Sequence, residues 1–146
     1  HRLQEVSQVN AVTYINDSYY STPETTMAAI DAFVEPEILV LGGSSKNSDF
    51  SELAQKIVNA KNLKVIILIG KEAPRIKKAI DDCGGFAGQI IEGVKNMDQI
   101  VEKAAALSAR GDVVILSPAC ASFDMFNNYR ERGEQFIETV LKLKNE

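Results

Sequence analysis

Residues 112–122 read DVVILSPACAS. The apolar run Val113 to Leu116 is β-branched and too short for a helix, which is the signature of a buried strand. Ser117-Pro118 then breaks it, and the small residues beyond let the backbone turn sharply or approach a neighbour closely. A strand that empties into a turn carrying Cys120 and Ser122 suggests a nucleophile, unless its small residues serve packing.

The same pattern recurs upstream. VTYI (12–15), EILVL (37–41), KVIILI (64–69) and QII (89–91) are further strand candidates. LQEV (3–6) reads as an added edge strand, hairpinned to VTYI across Gln8–Ala11. Between these runs the apolar spacing becomes helical. In FSELAQKIVNA (50–60), Phe50, Leu53, Ala54, Ile57 and Val58 share one face, and Asp49 is placed to cap it. Thr22 and Pro23 open a helix over 23–33. Others are expected over 72–83, stopping at Gly84-Gly85, over 97–109, and over 132–143. Strands alternating with helices imply right-handed crossovers. The expected fold is therefore α/β: three layers, with a mostly parallel sheet of about six strands and one antiparallel edge strand.

Composition bounds the function. The chain has 146 residues, 45% of them hydrophobic and 25% charged, with a net charge of -4. That suits one globular domain and gives no basic stripe for a nucleic-acid partner. Its longest apolar runs fall far short of the ~20 residues of a membrane span, and no secretory signal is apparent at the start. Neither a nucleic acid nor a membrane is expected as a partner. Cys83 and Cys120 have no CxxC partner, which favours free thiols and a cytoplasmic setting. The chain begins without Met and reads as a piece of something longer.

In open parallel sheets ligands bind beyond the carboxyl ends of the strands. The four exits read NDSYYSTP, GGSSKNSD, GKE and SPACAS, and they bring Asp17, Ser18, Ser21, Ser44, Ser45, Lys46, Lys71, Ser117 and Ser122 to one rim. The opposite rim is acidic or bland. Singly, Lys46 is a solvated lysine and Gly42-Gly43 a tight turn; their shared rim makes the candidate site. Lys46 after two Gly and two Ser suits one anionic oxygen group. The P-loop pattern GxxxxGK[ST] and the dinucleotide pattern GxGxxG are both absent. The single histidine is His1, so neither Cys120 nor Ser122 has a base in sequence reach. No metal-ligand spacing is present.

Four stretches, HR (1–2), INDS (15–18), GGSSKNSDF (42–50) and LSPACASFDMF (116–126) followed by NNYRERGEQF (127–136), resemble the C-terminal domain of the Mur ligases. The likeness is greatest to the D-glutamate-adding members and runs the length of the chain, so the single domain would be 1–146. It implies a Rossmann-like domain. The N-terminal UDP-binding and central ATP-binding domains of such enzymes are missing from this sequence. The implied activity is ATP-dependent amide (C–N) ligation in peptidoglycan precursor synthesis. There, D-glutamate is added to UDP-N-acetylmuramoyl-L-alanine through an acyl phosphate, with ATP and Mg2+ held mainly by the central domain of the same polypeptide. No catalytic residue is expected in this domain, and the isolated domain is expected to be inactive.

The resemblance also implies site residues. Lys46 corresponds to the lysine that pairs with a D-glutamate carboxylate. Ser122 and Phe123 correspond to a serine and an apolar neighbour that receive the side-chain carboxylate. Ser21 stands for a threonine and Tyr129 for a pocket aromatic. His1, Arg2 and Asp17 correspond to residues facing the nucleotide, Asp17 toward the ribose. Tyr19 replaces a lysine of the related pattern, so Lys46 should carry more of the anion recognition. Two alternatives stand beside this one: a non-catalytic α/β module binding a small anion, and a folylpolyglutamate synthase-like ligase domain.

Overall fold

The β-branched runs in the middle of the chain become strands buried on both faces, as a sheet covered by helices on each side requires. The computed structural model describes residues 2–19, 21–44, 46–122 and 124–145. His1, Ser45 and Phe123, all named above, lie outside the described residues. In chain order the elements are β1 (Gln4–Val9), β2 (Val12–Asn16), α1 (Pro23–Asp31), β3 (Glu37–Gly42), α2 (Ser51–Asn59), β4 (Leu63–Ile69), α3 (Ala73–Asp82), β5 (Gln89–Ile91), α4 (Met97–Leu107), β6 (Val113–Ala119) and α5 (Tyr129–Leu141).

These strands form one sheet in the order β1-β2-β6-β3-β4-β5. β1 runs antiparallel to β2, and every other neighbouring pair is parallel. On one face Leu39, Leu41, Ile66, Leu68 and Ile115 pack under α1, α2 and α3 through Ile30, Leu53, Ile57, Ile76 and Ile80. On the other, Ile38, Val40, Val65, Ile67, Val114 and Leu116 meet Ile100, Val101, Phe136 and Val140 of α4 and α5. The alternation along each strand sorts its side chains between the two cores. The expected three-layer α/β architecture is thus present, antiparallel edge strand included. No helix among the described residues is long and apolar enough to cross a membrane.

Four local details depart from the sequence reading. Ser117-Pro118 does not end β6. Val40 pairs with Leu116 but Gly42 with Ala119, so β6 carries one extra residue there. A bulge is where a central strand tolerates a proline, because the missing N–H falls at an interrupted ladder. The hairpin is tighter than expected: its turn is Asn10-Ala11 alone, both left-handed, with φ of 54° and 60°. Asp49 lies one residue ahead of the α2 N-cap, which is Phe50, yet its carboxylate still accepts the Ser51 N–H at 2.8 Å. Finally, α5 starts at Tyr129 rather than 132, because the Asn128 side chain accepts the Glu131 N–H at 2.8 Å and caps the helix early.

Candidate functional site

Sheet order makes β2, β6 and β3 neighbours, so their exits lie side by side. The close approach is built from residues without bulk. Ser44 donates its N–H to the Ala121 carbonyl at 2.9 Å. A Cβ on Gly43 would lie 2.3 Å from that carbonyl oxygen, and one on Gly70 would lie 2.6 Å from the Gly43 Cα. Backbone meets backbone at these points, and only glycine fits. Cys120 belongs to the same packing. It is 2% exposed, and burial first, then the nearby Glu72 carboxylate, pushes its thiol up to about 12. The small residues of SPACAS therefore serve close packing, and Cys120 is held as a thiol.

Beside this junction lies an open cleft of ≈ 290 Å³. Tyr19, Ser21 and Thr22 line it from the β2 exit, Lys46 from the β3 exit, and Ala121, Ser122, Asn128 and Tyr129 from the segment between β6 and α5. Five residues named from the sequence, Tyr19, Ser21, Lys46, Ser122 and Tyr129, thus come together from three separate loops. Tyr19, 47% exposed, meets Tyr129 edge to face at the cleft, with ring centroids 5.2 Å apart. The Lys46 ammonium is exposed and reaches across to the Ser21 carbonyl at 3.4 Å. None of the described lining residues is acidic. Thr22 and Asn128 are the N-caps of α1 and α5, so the positive ends of two helix dipoles open at the cleft. Its electrostatics suit an anion.

Behind the cleft lies Arg132, a residue the sequence reading quoted within NNYRERGEQF but gave no role. It is 1% exposed. Its guanidinium donates to the Cys120 carbonyl at 2.9 Å, the Ser18 carbonyl at 3.3 Å and the Ser21 hydroxyl at 2.9 Å. One side chain from α5 therefore ties the β2 exit to the β6 exit. Because Ser21 Oγ accepts from Arg132, its own proton is left to donate toward the cleft. Burial lowers the Arg132 pKa to about 10, so it remains a cation at neutral pH.

Asp17 lies inside the structure rather than in the cleft. It is 1% exposed and lies away from the cleft lining, with one carboxylate oxygen accepting the Leu3 N–H at 3.0 Å and the other the Ser117 hydroxyl at 2.8 Å. The Leu3 backbone, at φ 44°, turns that N–H inward. Burial raises the Asp17 pKa, opposed chiefly by the Ser117 hydrogen bond. Arg2 is exposed beside this segment. Ser18 and Ser117 are buried in internal hydrogen bonds, and Lys71 lies outside the cleft lining, its N–H bonded to Asp124 at 2.8 Å.

A three-layer α/β domain with a mostly parallel sheet and a cleft at the carboxyl ends of its strands has a Rossmann-like architecture, in which that rim is where ligands bind. The family described as "Mur ligase, glutamate ligase domain" matches residues 1–120. The chain belongs to that family. It is 41% identical over 143 residues to the UDP-N-acetylmuramoylalanine--D-glutamate ligase of Bacillus cereus (strain B4264), covering 98% of this chain and 30% of that protein. The protein of the same name from Nitrosomonas eutropha is 39% identical over 140 residues, covering 96% and 28%. The fold is also that of a region of the MurF ligase from Thermotoga maritima, solved in complex with ADP. That match has a TM-score of 0.58 and 15% identity, covering 97% of this chain and 30% of the other. The chain spans less than a third of the length of these relatives.

Proposed function

We propose that this chain is the amino-acid-binding domain of an ATP-dependent ligase that joins D-glutamate to UDP-N-acetylmuramoyl-L-alanine. The observation that carries the reading is the convergence of Lys46, Ser21, Ser122, Tyr19 and Tyr129, from three loops, on one cleft without a carboxylate. Lys46 holds one carboxylate of the incoming amino acid. Ser122 and the polarised hydroxyl of Ser21 donate to the other oxygens, and the two tyrosines wall the carbon chain. The domain contributes position rather than bond-making groups. An amine held at an acyl phosphate reacts as if intramolecular, and fixing the nucleophile is where such a reaction gains most. The amine's nitrogen attacks the acyl carbon and phosphate leaves; the proton the amine gives up passes to the departing phosphate or to solvent, since among the described lining residues no carboxylate or imidazole is present to take it.

ATP and the muramoyl substrate are held by parts of the enzyme outside this sequence, in a cytoplasmic protein. His1, Arg2 and Asp17 are the residues of this chain assigned to the side that meets the nucleotide. Mg2+ belongs with ATP, and among the described residues no group of three or more acidic, histidine or cysteine side chains could hold it. Relatives named as D-glutamate ligases support this reading over a non-catalytic anion module or a folylpolyglutamate synthase-like domain. The test is an amide-forming assay of the full-length protein across D- and L-amino acids. D-glutamate should be preferred, and a preferred substrate without a side-chain carboxylate would overturn the reading.

A further inference from the structure

Lys46 sits in a poor place for a binding residue. The described residues between Gly43 and Phe50 have no helix or strand beyond a single bridge at Ser44. Asn47 is left-handed, at φ 54°, and the lysine is exposed. A cation on an irregular loop spends binding energy on ordering that loop, unless something holds it beforehand. The near end is held by backbone: the Glu72 N–H donates to the Gly43 carbonyl at 2.9 Å. The far end is held by a side chain from another element. The Arg75 guanidinium of α3 donates to the Ser48 carbonyl at 2.5 Å, lies 4.9 Å from the centre of the Phe50 ring, and donates to the Glu72 carboxylate. Glu72, 6% exposed, fixes the arginine in turn. One planar cation thus joins two points of the Lys46 loop to the start of α3.

We infer that Arg75 is a positioning residue for amino-acid binding: it acts through Lys46, by latching the loop that carries it. The inference rests on the reading of the cleft given above. Arg75 does not line the cleft; its side chain is 50% exposed and touches the core only at its edge, over the Phe50 ring. What its replacement changes is how well the lysine is presented.

The test is a double-mutant cycle on Lys46→Ala and Arg75→Ala in the full-length protein, with KM for the amino acid, KM for ATP and kcat measured for each. Arg75→Ala should raise the amino-acid KM about five- to tenfold, within the range that coupled neighbours show, while KM for ATP and kcat hold. Arg75→Lys keeps the charge but not the planar fork, and should fall between. In the Lys46→Ala background, Arg75→Ala should add nothing, because the residue it positions is gone. Equal effects of Arg75→Ala with and without Lys46 would overturn the latch while leaving the cleft reading intact, as would an unchanged KM in Arg75→Ala. An unchanged KM in Lys46→Ala would bring down the cleft reading, and the latch with it.

Discussion

Replacing Arg132 with Met removes the guanidinium while keeping most of the buried stem. The wild-type group makes three hydrogen bonds, and donors that carry charge contribute roughly 1.5–3 kcal/mol each before desolvation is counted. Against this stands the cost of burying an unpaired cation. The drop in its pKa to about 10 corresponds to a penalty of order 3 kcal/mol. The substitution removes that penalty but orphans the Cys120 and Ser18 carbonyls, at ~1–3 kcal/mol for each buried acceptor left unmade. The net expectation is a destabilisation of about 2–5 kcal/mol, as for other broken buried polar networks. Denaturant unfolding should show a lower midpoint with an unchanged slope. Arg132→Lys, which keeps the charge but loses the fork, should fall between. A loss below about 0.5 kcal/mol in Arg132→Met, the scale of an ordinary surface change, would refute the idea that this side chain ties the two exits together.

Glu37 is fully buried at the start of β3; burial raises its pKa to about 8, opposed chiefly by the neighbouring Asn62 side chain. The folded state therefore holds this proton more tightly than the unfolded chain. Its contribution to stability is fully present below about pH 4.5 and is lost as the pH rises toward 8. Glu37→Gln should flatten this part of the stability–pH profile and be relatively more stable at pH 8; an unchanged slope would count against a buried neutral acid. Cys120, buried and shifted upward, should resist thiol reagents at pH 8 while half-buried Cys83 reacts first. Cys120→Ser should keep most of the activity of the full-length protein, and an inactive variant would reopen the case for a catalytic thiol.

The strands are legible because β-branched runs bounded by glycine and polar turns have few other uses, and five residues at their exits do share one cleft. What stayed hidden depended on tertiary partners. Ser117-Pro118 reads as a strand break unless the bulge against β3 is known. Tyr129 and Arg130 carry no helical apolar spacing, so the start of α5 rests on one cap at Asn128. Arginines are almost never fully buried, so only its place within NNYRERGEQF singles out Arg132 in the sequence. The resemblance turns Asp17 toward a ribose, and no sequence pattern shows that the Leu3 N–H and the Ser117 hydroxyl hold its carboxylate inside. The direction of Tyr19 could not be read at all, since either side of the loop would accept a tyrosine until Tyr129 supplies the ring it packs against.

The claim at the centre of this account is that Lys46 binds a carboxylate of the incoming amino acid. Steady-state kinetics of Lys46→Ala in the full-length protein, with the amino acid varied at saturating ATP and muramoyl substrate, test it most directly. A charge-assisted bond of ~1.5–3 kcal/mol predicts an amino-acid KM raised about tenfold or more, with kcat recovered at saturation. An unchanged KM would contradict it.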